Sequence, residues 1–134
     1  MNIVITLPQT LIKAILEGDK AIEVRSIIPR FFEPENDRVF VVTKGTNKVT
    51  MDFQVTQFEK VIDKDACYRK YGAKMGIPYV WWKEYTRDKR SIYLWHIGDV
   101  NKLIKPLLLD DDLGLTVAPQ SLEYVQSAKY VKSK

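Results

Sequence analysis

Leu16-Glu17-Gly18-Asp19-Lys20-Ala21-Ile22-Glu23-Val24-Arg25, with Arg30 a few residues on, reads as the end of an amphipathic helix, a glycine that stops it, and a short strand of alternating apolar and charged residues. Successive side chains of a strand point to opposite faces, so Ile22 and Val24 share one side and Glu23 and Arg25 the other. The first side is core. The second, with Lys20 and Arg30 beside it, is either half-exposed surface or the wall of a small polar pocket. An arginine offers a planar fork of donors for phosphate or a base edge, and a glutamate accepts from an exocyclic amine. A lysine supplies a point charge or, when desolvated, a nucleophile or base. These are the groups a single-nucleotide pocket needs. On spacing alone, however, the preferred reading is an exposed Glu23–Arg25 ion pair worth well under ~1 kcal/mol.

Working outward toward the N-terminus, Leu7, Leu11, Ile12, Ile15 and Leu16 recur at helical spacing, with Thr6 ahead of Pro8 as the expected N-cap and Gly18 as the stop. Asn2 to Ile5 is a first strand. Toward the C-terminus, Ser26 to Asp37, with Pro29, Pro34 and the pair Phe31-Phe32, reads as a loop over the core. Arg38 to Thr43 and Lys48 to Val61 are β-biased runs around the turn Lys44-Gly45-Thr46-Asn47, a hairpin expected to keep one wet face. Asp63 or Asp65 caps a helix containing Cys67, Tyr68 and Tyr71, which Gly76 and Pro78 end, and Tyr79 to Tyr85 is a second short helix. Ser91 to Ile97 is a strand. Asp99 is expected to cap a short helix through Leu103 and Ile104, and Asp110-Asp111-Asp112 to form a turn. Pro119 to Val125 closes the fold, and 127–134 is a frayed basic tail. The order predicts an α+β fold, a small mixed β-barrel with short helices at its mouth, as a single domain over 1–134.

Composition narrows the function classes. The 134 residues, 46% hydrophobic and 28% charged, suit one globular domain. A formal charge of +4 and an isoelectric point near 9.1 favour an anionic partner such as nucleic acid. Cys67 is the sole cysteine, which excludes an internal disulfide and a multi-cysteine metal site and fits a cytoplasmic home. The opening residues lack a signal-peptide pattern, and no window reaches membrane-spanning length. Phosphate-binding glycine loops, paired histidines and a nucleophile elbow are all missing, so neither a metal nor another cofactor is expected. The single histidine, His96, sits inside a strand and reads as a packed residue. Cys67 reads as a small buried apolar one.

The aromatics are the second functional signal. Tyr68, Tyr71, Tyr79, Trp81, Trp82 and Tyr85 crowd one segment, interleaved with Arg69, Lys70, Lys74, Lys83, Arg87, Lys89 and Arg90. Flat rings among cations suit single-stranded nucleic acid or a flipped base, although at least half of these rings are needed to close the core.

The stretch Leu16 to Arg25 resembles the glycine, lysine, glutamate, arginine signature near the start of ASCH domains, small β-barrels of the PUA-like superfamily. Glu35-Asn36-Asp37-Arg38-Val39 resembles that family's GDRV-type lead into its central hairpin, with Asn36 in place of the glycine. Trp82 and Tyr85 ahead of Tyr93 to Ile97, then Leu103, Pro106, Leu107 and the closing Pro119-Gln120-Ser121-Leu122-Glu123-Tyr124-Val125, resemble a subgroup common in phages and prophages. The resemblance implies a cleft between barrel and helices that binds RNA or a modified nucleotide, with Lys20, Glu23 and Arg25 presented to it; the residues themselves add Arg30 as a further contact and Trp82 or Tyr85 as the stacking ring. Some relatives are amidohydrolases that deacylate acetylcytidine with the motif lysine, a threonine three residues on and a distant glutamate. Here Lys20 is kept but Glu23 stands at the threonine position, which moves weight from catalysis by Lys20 and Glu23 toward binding. A phage-type protein-interaction module is the further alternative.

Overall fold

The computed structural model describes residues 1–125, so the expected basic tail at 127–134 lies outside the described residues. The elements are β1 (Asn2–Leu7), α1 (Gln9–Leu16), β2 (Ile22–Arg25), β3 (Val39–Thr43), β4 (Lys48–Lys60), α2 (Lys64–Met75), α3 (Tyr79–Thr86), β5 (Tyr93–Leu108), α4 (Leu109–Leu113) and β6 (Leu122–Val125). Among the described residues the strands form one mixed sheet in the order β2-β5-β4-β3-β1-β6, in which β1 and β3 pair parallel and the other neighbours antiparallel.

The α+β mixed sheet is as expected, and its backbone ladder stays open between β2 and β6. Side chains span the gap. Arg25 Nη1, at the end of β2, donates to Ser121 O at 3.0 Å, just ahead of β6. The loop after β2 packs Phe31 edge-on against Tyr124 of β6, centroids 5.6 Å apart, and Phe31 N donates to the Tyr124 hydroxyl at 3.3 Å. The two ends of the sheet therefore lie side by side, as the staves of a barrel do, without sharing a ladder.

Both faces of the sheet are covered. Val39 and Val41 join Ile3, Ile5, Met51, Phe53 and Trp95 in one core, while Phe40 and Val42, pointing the other way, join Val4, Val49, Leu103 and Leu109 in a second. A third apolar cluster, Ile22, Met75, Trp82, Ile92 and Leu94, lies under α2 and α3. The alternation expected in β4 holds except at one position: Met51, Phe53 and Val55 are buried, Thr50 and Gln54 half-buried and Thr56 exposed, whereas Asp52 is fully buried. Arg38 Nε and Asn101 Nδ2 reach its Oδ1 at 2.7 and 3.1 Å, which makes burial of the carboxylate tolerable.

Three further expectations fail for local reasons. Asp99 does not cap a helix. β5 runs on to Leu108, Asp99 takes a positive φ of 41° amid register shifts between β4 and β5, and its carboxylate accepts from Arg38 Nη1 at 2.6 Å. The strand shows in the residues themselves, because Asn101 and Leu103 are buried while Lys102 and Ile104 face out. Asp110 to Asp112 form the helix α4 rather than a turn, with Asp112 Oδ2 accepting from Leu108 N at 2.6 Å. At α1 the N-cap is Pro8, and the Thr6 hydroxyl instead donates to Pro119 O at 2.8 Å, tying β1 to the segment before β6.

Candidate functional site

The turn that ends α1 places the key lysine. Gly18, at φ +84°, reverses the chain, Lys20 N donates to Ala14 O at 3.1 Å, and Ala21 N donates to Lys74 O at 2.8 Å. Lys20 is thereby folded inward and is only 2% exposed. Its Nζ donates to Ile22 O and Met75 O, each at 2.6 Å, and lies 3.3 Å from Glu23 Oε1. An ammonium has three protons, and these three oxygens account for them. Burial disfavours the charged form and lowers the Lys20 pKa from its ordinary 10.5, Glu23 opposes that by raising it, and nearby Arg25 lowers it again.

Glu23 is itself 5% exposed, and its second oxygen accepts from Arg25 Nε at 2.7 Å. Lys20, Glu23 and Arg25 therefore form one continuous relay from the C-terminal turn of α2 across β2 to Ser121, not the surface ion pair preferred on spacing. In the structure the Glu23 face is covered as well, because Glu23 pairs with Trp95 on β5 and Arg25 packs over the Trp95 ring, 5.8 Å from its centroid.

Beside the relay opens a cavity of about 480 Å³, within the range of small-molecule sites. Lys20, Glu23 and Arg25 line it on one side, the end of β1, α1 and the segment before β6 contribute Leu7, Leu11, Gln120 and Ser121, and α3 contributes Trp81 and Tyr85. Trp81 and Tyr85 are four residues apart and so share a helix face. Their rings stack with centroids 5.5 Å apart and 7° between planes, and Trp81 is 56% exposed. Lys89 Nζ sits 4.9 Å from the Tyr85 centroid. Burial, the largest influence, raises the Tyr85 phenol pKa above 10.

Four of the six residues expected from sequence thus meet at the cavity: Lys20, Glu23, Arg25 and Tyr85. Two do not. Trp82 is 1% exposed, packed among Ile22, Met75 and Leu94, with its indole N–H donated to Lys64 O at 3.1 Å, so it has no face to offer a ligand. Arg30 is exposed on the loop after β2, over the Phe31 ring and away from the cavity wall. The tryptophan that lines the cavity is instead Trp81, and the helical spacing from Tyr85 was the sequence signal for it. Lys44, another lining residue, had no such signal.

Elsewhere, His96 Nε2 lies 2.9 Å from Glu59 Oε1, which also accepts from the Tyr71 hydroxyl at 3.0 Å. Burial tends to raise the Glu59 pKa, but the hydrogen bonds from His96 and Tyr71 outweigh it and hold the carboxyl below 4.5. Burial, with Glu59 nearby, pushes the half-buried Cys67 thiol up to about 11. Among the described residues no cluster of three or more His, Cys, Asp or Glu is placed to hold a metal ion, and no helix is long and apolar enough to cross a membrane.

No family model matches the sequence, and comparison with curated proteins finds no match. Solved structures do. The crystal structure of an ASCH protein from Zymomonas mobilis superposes with a TM-score of 0.80 at 19% identity, covering 96% of this chain and 90% of that one. The chain has the ASCH fold. Two mutants of the same Zymomonas mobilis protein superpose on this ASCH fold with TM-scores of 0.78, at 19% and 20% identity, over 93% of this chain and 88% and 90% of theirs. At such low identity the agreement lies in the path of the backbone, so the side chains of the cavity in this ASCH fold carry the functional argument.

Proposed function

We propose that the cavity binds a nucleotide, most naturally one unit of an RNA strand, and that the protein is a nucleic-acid-binding module. The observation that carries this is the meeting, in one cavity, of a buried Lys20–Glu23–Arg25 relay and an exposed stacked pair, Trp81 and Tyr85. A base has a π-face for the rings and polar edges for Glu23 and Arg25, and a phosphate answers the excess of cation over anion in the lining. Every element of the relay is held before any ligand arrives, which lowers the ordering cost of binding.

A second reading, hydrolysis of an acylated nucleoside with Lys20 as nucleophile or base, is favoured by the lowered Lys20 pKa. Against it, the two backbone carbonyls at 2.6 Å and Glu23 occupy all three ammonium protons, an arrangement that fixes Lys20 in place and leaves none of its hydrogen-bonding positions for a substrate. Incubation with a panel of acylated nucleosides, followed by chromatography, is expected to show no turnover.

The binding proposal is tested with a fluorescein-labelled oligoribonucleotide and fluorescence anisotropy across a salt series. Loss of a good directional arginine contact is worth about 1–3 kcal/mol, so Arg25→Ala should bind about tenfold more weakly or worse while still melting cooperatively. Equal affinity and an equal salt slope for parent and Arg25→Ala would refute it.

A further inference from the structure

The charges lining the cavity do not balance. Among the described residues Glu23 is the single carboxylate in the lining, and it is committed at 3.3 and 2.7 Å to Lys20 and Arg25. A third cation, Lys44, lines the same cavity from the turn between β3 and β4, the two central strands of the sheet. Its backbone is fixed: Lys44 N donates to Leu7 O at 2.9 Å, adding a rung to the β1–β3 pairing, and Gly45 follows at φ +84°, with Thr46 N donating to Thr43 O at 3.0 Å. Its side chain is exposed, and no ion pair or side-chain hydrogen bond engages the ammonium among the described residues. A rigidly rooted cation at a cavity mouth, uncommitted to any carboxylate, is placed to meet an anion.

We infer that Lys44 is the phosphate contact of the site, so that the ligand is a phosphorylated nucleotide and not a free nucleoside. This rests on the nucleotide reading above and divides the labour within it. The phosphate lies toward the β1–β3 end of the cavity, between Lys44 and the Ser121 segment, and the base lies toward α3, against Trp81. A lysine suits this task because an ammonium on a flexible stem acts as a point charge and needs no fixed fork geometry. The two functional readings are thereby separated chemically, since an acylated nucleoside carries no anionic group for Lys44 to pair with.

Lys44→Ala is compared with the parent and with Lys48→Ala, an exposed lysine of the same hairpin outside the cavity lining. The probes are a fluorescein-labelled oligoribonucleotide, a nucleoside monophosphate and the matching nucleoside. Losing one phosphate contact on a single strand should lower the slope of log affinity against log salt by about 0.7, with affinity reduced several-fold at low salt. Lys44→Ala should also lose the parent's preference for the monophosphate over the nucleoside, and Lys48→Ala should change neither. If Arg25→Ala weakens binding but Lys44→Ala keeps the parental slope and preference, the Lys44 assignment is overturned and the nucleotide reading stands. A parent that binds neither the oligonucleotide nor the monophosphate overturns both.

Discussion

Removing Glu23 is the severest test of the buried relay. In Glu23→Ala the Lys20 ammonium, its side chain 1% exposed, keeps its two carbonyl partners but loses the one opposing charge it has among the described residues, and Arg25 Nε loses its acceptor. Breaking one partner of a buried ion pair costs about 3–5 kcal/mol, whereas an exposed pair is worth about 0–1 kcal/mol. A domain of this size has only about 5–15 kcal/mol to lose, so the variant should unfold at much lower urea concentration, read by tryptophan fluorescence. The double variant Lys20→Met, Glu23→Leu, which removes both charges, should recover much of the loss. The pH dependence has a defined sign. Burial already places the folded Lys20 pKa below the ordinary 10.5, and Glu23 is the group that opposes that lowering. Without Glu23 the unfolded chain holds the Lys20 proton to higher pH than the folded one, so stability should rise with pH up to about 10.5, more steeply than in the parent. A Glu23→Ala cost below about 1 kcal/mol, with no alkaline gain, would show that the pair is solvated and would refute the reasoning.

Neighbouring tryptophans should behave oppositely: Trp82→Ala should cost about 3–5 kcal/mol by emptying the cluster under α2 and α3, and Trp81→Ala little, in the same urea titration. The Glu59 carboxylate is held below 4.5 by His96 and Tyr71, so it contributes stability that is present above pH 4.5 and lost as pH falls through the lower folded value. Glu59→Gln should therefore flatten the acid limb of stability against pH, measured by thermal melts between pH 3 and 6, a range bracketing the usual carboxylate pKa of about 4.3. With its thiol at about 11 in place of 9.0, Cys67 should react with iodoacetamide at pH 8 roughly a hundredfold more slowly than an exposed cysteine, and denaturation should abolish the difference.

What the sequence made legible follows from how local each signal was. The end of α1, Gly18 and the run Ile22 to Arg25 are written in neighbouring residues, and the structure places them as read. The same holds for the Asp63 cap of α2, whose carboxylate accepts from Ala66 N at 2.9 Å. Alternation, by contrast, reports only that a strand has two faces, not that both are covered. Asp52 and Glu23 were therefore read as solvated, when close polar partners, the sequence-distant Arg38 and Asn101 for one and the neighbouring Lys20 and Arg25 for the other, make their burial tolerable. Asp99 was misread because aspartate is a good helix cap and equally good at taking a positive φ where a strand bends. The interchange of Trp81 and Trp82 is a matter of helix phase: adjacent residues lie about 100° apart, and only the packing under α3 decides which ring is core. Lys44 could not have been found from spacing, since 24 positions and the whole of β3 separate it from Lys20.

The central claim, that a nucleotide sits on Trp81 beside the Arg25–Glu23 pair, is tested most directly through the three indole N–H resonances of the ¹⁵N-labelled protein. The Trp82 indole donates to Lys64 O, away from the cavity, and Trp81 stands exposed at its wall. Titration with a nucleoside monophosphate should shift the Trp81 indole resonance saturably and leave that of Trp82 in place, and Arg25→Ala should weaken the response. A Trp81 resonance that stays still while the nucleotide binds elsewhere, or a titration with no response at all, would contradict the account.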